Sequence, residues 1–177
     1  MRNQIASEFR KLTTTRSIYA MLAGLIVIVG LGVVATTTDG EPGSLLAPLE
    51  HQVFFNVSLT IAPLFGLLLG LRSFTDEFRY GSILPTLLAS PVRRRVLGAK
   101  LVATAGGGVA LSLATVAISI AVGVPILVIK GIDVTWSTGA LAMIVGRLVA
   151  ATVLWTAIGV GLGLAVKHQV AAIAGTL

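Results

Sequence analysis

At 177 residues, 55% hydrophobic and only 11% charged, with 20 glycines besides, the chain is more apolar than an ordinary soluble domain. A soluble domain would need helices with polar faces, which long stretches of this chain lack, and the absence of cysteine excludes disulfides, thiolate metal sites and thiol catalysis. The formal charge of +6 fits either nucleic acid or a membrane surface, and only its placement along the chain separates the two.

Residues 1–16 contain "NQIASEFRKLTTTR", in which Ile5, Phe9 and Leu12 fall at i, i+4 and i+7 and share one helical face. Arg10 and Lys11 lie off that face, which predicts a short interfacial helix resting on the inner membrane surface. The alternative is a basic juxtamembrane tail that meets headgroups only.

Residues 17–36, "SIYAMLAGLIVIVGLGVVAT", carry no charge and have the roughly 20-residue length that crosses a bilayer. This core is too long for a cleaved secretory signal, so an anchor is expected. The second span, 53–71, includes Asn56, Ser58, Thr60 and Pro63, which would be costly against lipid and are expected to face other helices. Its Asn-Val-Ser triplet matches a glycosylation acceptor formally, but Asn56 lies inside the apolar run and is set aside. A third span covers 101–129, with Pro125 favouring a kink or an end near the outer boundary. The fourth covers 140–166 and contains Arg147, about 12 Å down a helix that starts near Gly139 and therefore within snorkelling reach of headgroups. Residues 170–177 are apolar again and are expected to open a fifth span, either of a longer chain or of a naturally short protein.

Charge orients these spans. Arg2, Arg10, Lys11 and Arg16 precede the first span, whereas residues 37–52 hold Asp39, Glu41 and Glu50 and no Lys or Arg. The amino terminus is therefore expected in the cytoplasm, at the cell membrane. The next connection, 73–100, together with its flank, holds Arg72, Arg79, Arg93, Arg94, Arg95 and Lys100; the following one has only Lys130, near Asp133; Lys167 closes the last turn. Eleven of the 13 basic residues, all but Lys130 and Arg147, thus fall on the cytoplasmic side. The basicity reads as membrane orientation and phospholipid contact, not nucleic-acid binding.

Within 73–100 the sequence "TDEFRYGSILPTLLASPVRRR" places Ile83, Leu84, Leu87 and Leu88 as two i, i+4 pairs on a short helix bounded by Gly81 and Pro91. Pro85 is tolerated in a first turn, where the missing amide proton has no intrahelical partner. Asp76, Glu77 and Arg79 precede this helix and Arg93–Arg95 follow it. Such a segment either docks a cytoplasmic partner or lies against the inner leaflet.

At these residues the chain resembles the permease subunits of type-2 ABC transporters, the ABC-2 membrane family. The resemblance rests on Glu77, Gly81 with Ser82, Thr86 through Ala89, Pro91, Arg94 and Lys100, in that order between the second and third spans, and on Glu8, Lys11 and Arg16 in the amino-terminal segment. Ser82 stands where the family often has Thr and keeps the hydroxyl. The resemblance implies an all-α polytopic bundle with an amino-terminal interfacial helix and a short cytoplasmic coupling helix seated in a groove of an ATPase subunit. It extends over the whole chain, which is similar to the amino-terminal two-thirds of such a permease. The implied partners are ABC ATPase subunits, a second permease copy or homologous permease, and membrane lipids.

No G-x-x-x-x-G-K-[ST] loop is present, since "ATAGGGVALS" lacks the phosphate-binding lysine, so ATP hydrolysis is expected in a partner and no cofactor is expected here. His51 and His168 are too far apart in the topology to form a metal pair, and no nucleophile, base and orienting acid share a face. The glycines at 106–108, Gly66-x-x-x-Gly70 and Gly159-x-x-x-Gly163 suit close helix packing. The function that the resemblance implies is a permease of an ATP-driven exporter. The alternative is a non-transporting membrane anchor or regulatory subunit that docks an ATPase.

Overall fold

The computed structural model describes residues 16–39, 50–79, 93–131 and 137–174. These form four helices, α1 (Arg16–Asp39), α2 (Glu50–Arg79), α3 (Arg93–Ile129) and α4 (Thr138–Ala174), with no strand among the described residues. Each holds a stretch long and apolar enough to cross a bilayer: Ile18–Thr38, Phe55–Ser73, Gly98–Ile129 and Thr138–Ala165. Hydrocarbon offers no partner for backbone N–H and C=O groups, so an apolar run of this length is driven to satisfy them within its own helix. The fold is an all-α membrane bundle.

Several boundaries differ from the apolar runs. α2 continues past residue 71 to Arg79, and α3 begins at Arg93, ahead of residue 101. Charged side chains end a hydrophobic pattern without ending the backbone ladder, so both helices extend beyond their apolar lengths. α3 also passes Pro125 to reach Ile129, because a missing donor removes one bond and leaves later turns intact. It stops at Gly131, whose φ of 73° puts it in the left-handed region while its N–H donates to the Val128 carbonyl at 3.0 Å. α4 starts on Ser137, whose Oγ accepts from the Ala140 N–H at 3.4 Å. It then runs unbroken to Ala174, so residues 170–174 lie on its carboxy-terminal turns.

Interhelical pairs fix the topology. Ser58 and Ser119 share a 2.7 Å hydrogen bond, and Lys100 on α3 reaches the carbonyl of Ser73 on α2, so these helices are antiparallel. On α2 and α4, Gly66 lies beside Thr152 and Thr156 while Gly70 lies beside Thr156 and Val160, so these two run parallel. Lys130, just past α3, donates to the carbonyls of Thr37 and Thr38 near the end of α1, which brings the carboxy-terminal ends of α1 and α3 together. The result is an up-down-up-down bundle.

Two clusters make the core. Met21, Leu25, Val29 and Val33 repeat every fourth residue on α1 and pack with Leu69 and Leu111. Phe55, Ala62, Val116, Leu127, Ile144 and Leu148 form the second, between α2, α3 and α4. The outside is equally apolar: Ile26, Leu31, Leu64, Leu68, Leu113, Leu154 and Leu162 are all exposed. A soluble monomer does not carry such a surface, whereas lipid tails solvate it.

Candidate functional site

The end of the bundle where α2 ends and α3 begins contains a polar feature that the core does not explain. Two helices hold the connection 80–92, α2 through its last turns to Arg79 and α3 from its first residue, Arg93. About two turns into α3 lies Lys100, only 2% exposed, with its Nζ donating to the Ser73 carbonyl at 2.6 Å. Ser73 in turn bonds its hydroxyl to the Gly70 carbonyl at 2.9 Å. An ammonium group buried in a membrane span is expensive unless it is hydrogen-bonded, and the α2 backbone supplies a partner.

Lys100 heads a row along the buried side of α3. Thr104, Gly108, Ser112, Thr115 and Ser119 follow at helical spacing, and every one is buried. Each α3 hydroxyl of this row except that of Ser119 bonds within its own helix: Thr104 to the Lys100 carbonyl at 2.8 Å, Ser112 to that of Val109 at 2.9 Å and Thr115 to that of Ser112 at 2.8 Å. Thr152 and Thr156 on α4 do the same, with the Leu148 and Thr152 carbonyls at 2.8 and 2.7 Å. The interior is therefore lined with hydroxyls that are already satisfied. Ser58 with Ser119 is a side-chain pair that crosses between helices.

Small residues on this seam let the backbones close up. A Cβ on Gly66 would lie 2.9 Å from the Thr152 carbonyl oxygen, one on Gly70 would collide with the Thr156 carbonyl oxygen, and one on Gly159 would collide with the Leu67 carbonyl oxygen. Gly107 makes room for Leu69, whose Cδ2 would be 2.7 Å from an added Cβ. Gly66, Gly70 and Gly159 thus serve contacts inside the chain.

The sequence-predicted residues divide by position. Glu77 stands on the last turns of α2, and Arg93 and Arg94 open α3. Gly81, Ser82, Ile83, Leu84, Leu87, Leu88 and Pro91 lie outside the described residues, as do Ile5, Phe9, Lys11 and Leu12 of the amino-terminal segment. Arg147 is exposed on α4, nine residues from Thr138, or about 13 Å along the axis. Of the polar residues expected to face helices from α2, Ser58 and Pro63 are buried but Asn56 and Thr60 are exposed. Thr60 avoids an open hydroxyl by donating to the Asn56 carbonyl on its own helix at 2.9 Å. No group of three or more His, Cys, Asp or Glu that could hold a metal occurs among the described residues.

Sequence reasoning placed Lys100 among the basic inner residues and missed its burial. The signal was the row itself, since Lys100 precedes Thr104, Gly108 and Ser112 at four-residue steps.

A family model described as ABC-2 family transporter protein matches residues 4–177. The chain belongs to the ABC-2 transporter family. No curated protein and no solved structure matches it. As an ABC-2 permease it is a multi-pass membrane protein, of the class that associates with an ABC ATPase. In this permease the connection 80–92 is carried by the two helices that Lys100 joins.

Proposed function

We propose that this permease converts ATP hydrolysis in separate ATPase subunits into movement of a substrate across the cell membrane, in the direction of export. Residues 1–16 lie on the inner membrane surface as an interfacial helix, and the amino terminus is cytoplasmic. Residues 73–100 form the coupling region, with Ile83, Leu84, Leu87 and Leu88 filling a groove of the ATPase while Glu77, Arg93 and Arg94 set its orientation. Gly81 and Pro91 bound the docking helix and Ser82 supplies a hydroxyl at its start. A second permease copy or a homologous permease completes the membrane part.

The observation that carries this proposal is the concentration of Arg79, Arg93, Arg94 and Arg95 around an apolar Ile-Leu-Pro-Thr-Leu-Leu segment between the second and third spans. A connection that served orientation alone would need the charges and not the leucines. Burial of one Leu or Ile is worth about 1.5–3 kcal/mol, against at most about 1 kcal/mol for an exposed ion pair, so the apolar residues set the strength of docking. Photo-crosslinkers placed singly at residues 83 to 90 in the active complex test it. Capture of an ATPase subunit supports docking, and labelling of lipid alone overturns it in favour of a segment lying on the inner leaflet.

A further inference from the structure

We propose that Lys100 is a positioning residue that joins the loop-proximal parts of α2 and α3 into one lever. This rests on the coupling role of residues 80–92 and names the part of the bundle through which a push on that connection travels. The tie is the 2.6 Å bond from Lys100 Nζ to the Ser73 carbonyl, made by a side chain that is 2% exposed.

Its position gives it mechanical sense. α2 extends six residues beyond Ser73 to Arg79, and α3 begins seven residues before Lys100 at Arg93, so the connection hangs on two helical arms of about 9 and 10 Å. Arms of nearly equal length joined at their base move together. Without the tie each could tilt alone. Deeper in the bundle the pair is held by the Leu69 side chain against Gly107. One residue further along α2, Gly70 meets the α4 backbone at Thr156 and Val160. A displacement of the joined arms therefore reaches α4 through backbone contacts, which have no soft side chain to absorb it.

The choice of lysine is informative. An apolar residue could fill this space at lower desolvation cost, but dispersion packing lets neighbouring helices slide, whereas a bond to one backbone carbonyl fixes their register. Burying a cation that bonds directionally to the α2 backbone favours alignment over bulk stability.

The chain has no native cysteine, so nitroxides at Leu68→Cys and Val102→Cys, both exposed positions, report the α2–α3 separation directly. The measurement uses the full chain in liposomes with its ATPase partner, at rest and arrested with ATP and vanadate. With Lys100, and with Lys100→Arg, the separation holds to within about 1 Å in both states. With Lys100→Met, and with the shorter Lys100→Gln should the first fail to insert, the separation shifts or spreads by about 2 Å, the scale of helix shifts in switching proteins, and becomes nucleotide-dependent. Met and Gln variants that insert normally and match the parent in both states overturn the proposal, as does a parent whose labels separate on arrest. Crosslinking from residues 83–90 in the same samples reports docking independently. Loss of ATPase capture removes the coupling role, while the resting separation still decides whether Lys100 ties the arms.

Discussion

Gly70 on α2 sits directly against the carbonyl oxygen of Thr156 on α4, so closely that no side chain fits between them. Neither backbone can yield as the end of a flexible side chain would, because each is held in its own helical ladder. Gly70→Ala and Gly159→Ala should therefore push α2 and α4 apart, with a destabilisation at or above the roughly 1–3 kcal/mol typical of overpacking. Gly30 and Gly161 provide the control, since a Cβ there meets nothing within 4 Å. Alanine at those sites should be neutral or stabilising by about 0.5–1 kcal/mol. Thermal unfolding of the four variants in detergent checks the contrast, and equal losses at all four would contradict it.

Ser58 and Ser119, 2.7 Å apart and buried, make a pair whose value depends on both hydroxyls. Ser58→Ala leaves the Ser119 hydroxyl without this cross-helix partner, whereas Ser119→Ala leaves Ser58 the Thr115 carbonyl at 3.4 Å, so Ser58→Ala should cost more, against an average of about 0.6 and a maximum of about 1.7 kcal/mol for interhelical bonds in membranes. The double variant should recover much of that loss. A double-mutant cycle on unfolding free energy gives the coupling, and strict additivity would mean that the bond contributes nothing net.

Arg147 is exposed on α4, and all seven acidic residues of the chain lie outside the predicted spans, so no carboxylate within a span is available to meet it. A long cationic arm about 13 Å from the helix start reaches the headgroups. Arg147→Lys should keep normal abundance and insertion, whereas Arg147→Glu, with a shorter arm and the opposite charge, should reduce both. A substrate-selective loss of transport in an abundant Arg147→Lys protein would assign the residue to substrate binding instead.

The four spans were legible in the sequence because long apolar runs with at most one charge have few other fates, and the repeat of Met21, Leu25, Val29 and Val33 at every fourth residue shows why α1 buries one side. Helix ends were less legible. Arg79 and Arg93 mark the limits of α2 and α3, but the apolar pattern fades earlier because hydropathy reports the surrounding medium and not the backbone ladder. The partners of glycines and lysines were not legible at all. Nothing in the local sequence says that Gly70 meets Thr156 or that Lys100 turns inward to Ser73, since both contacts are set by how separate helices pack. Thr60 departs from its expected helix-facing position with its hydroxyl bonded on its own helix, so it needs no neighbour.

Topology can be read chemically. Single cysteines at Ser44 and Ser90 should react with an impermeant maleimide from opposite faces of sealed vesicles, as the Lys and Arg bias requires. Labelling from one face would rule out the assigned orientation.

The coupling region offers a ranking of variants. Leu87→Asp should weaken ATPase association more than Arg93→Ala, because it removes apolar burial and places a charge in the groove. Glu77→Ala should leave assembly intact while lowering the substrate moved per ATP hydrolysed. Pull-down of the ATPase and turnover in liposomes separate the two effects, and a weaker pull-down for Arg93→Ala than for Leu87→Asp would reverse the proposed roles.

Lys130 gives the bundle an order of completion. The carbonyls of Thr37 and Thr38, near the end of α1, accept from a side chain 93 and 92 residues further along the chain. At about 5–20 residues per second a ribosome needs roughly 5 to 20 s to cover that distance. Throughout that interval the donor found at the tip of α1 in the folded bundle has not been made, and it comes with the end of α3. A ribosome that stalls between α1 and Lys130 thus leaves that tip uncapped by the partner found in the folded bundle.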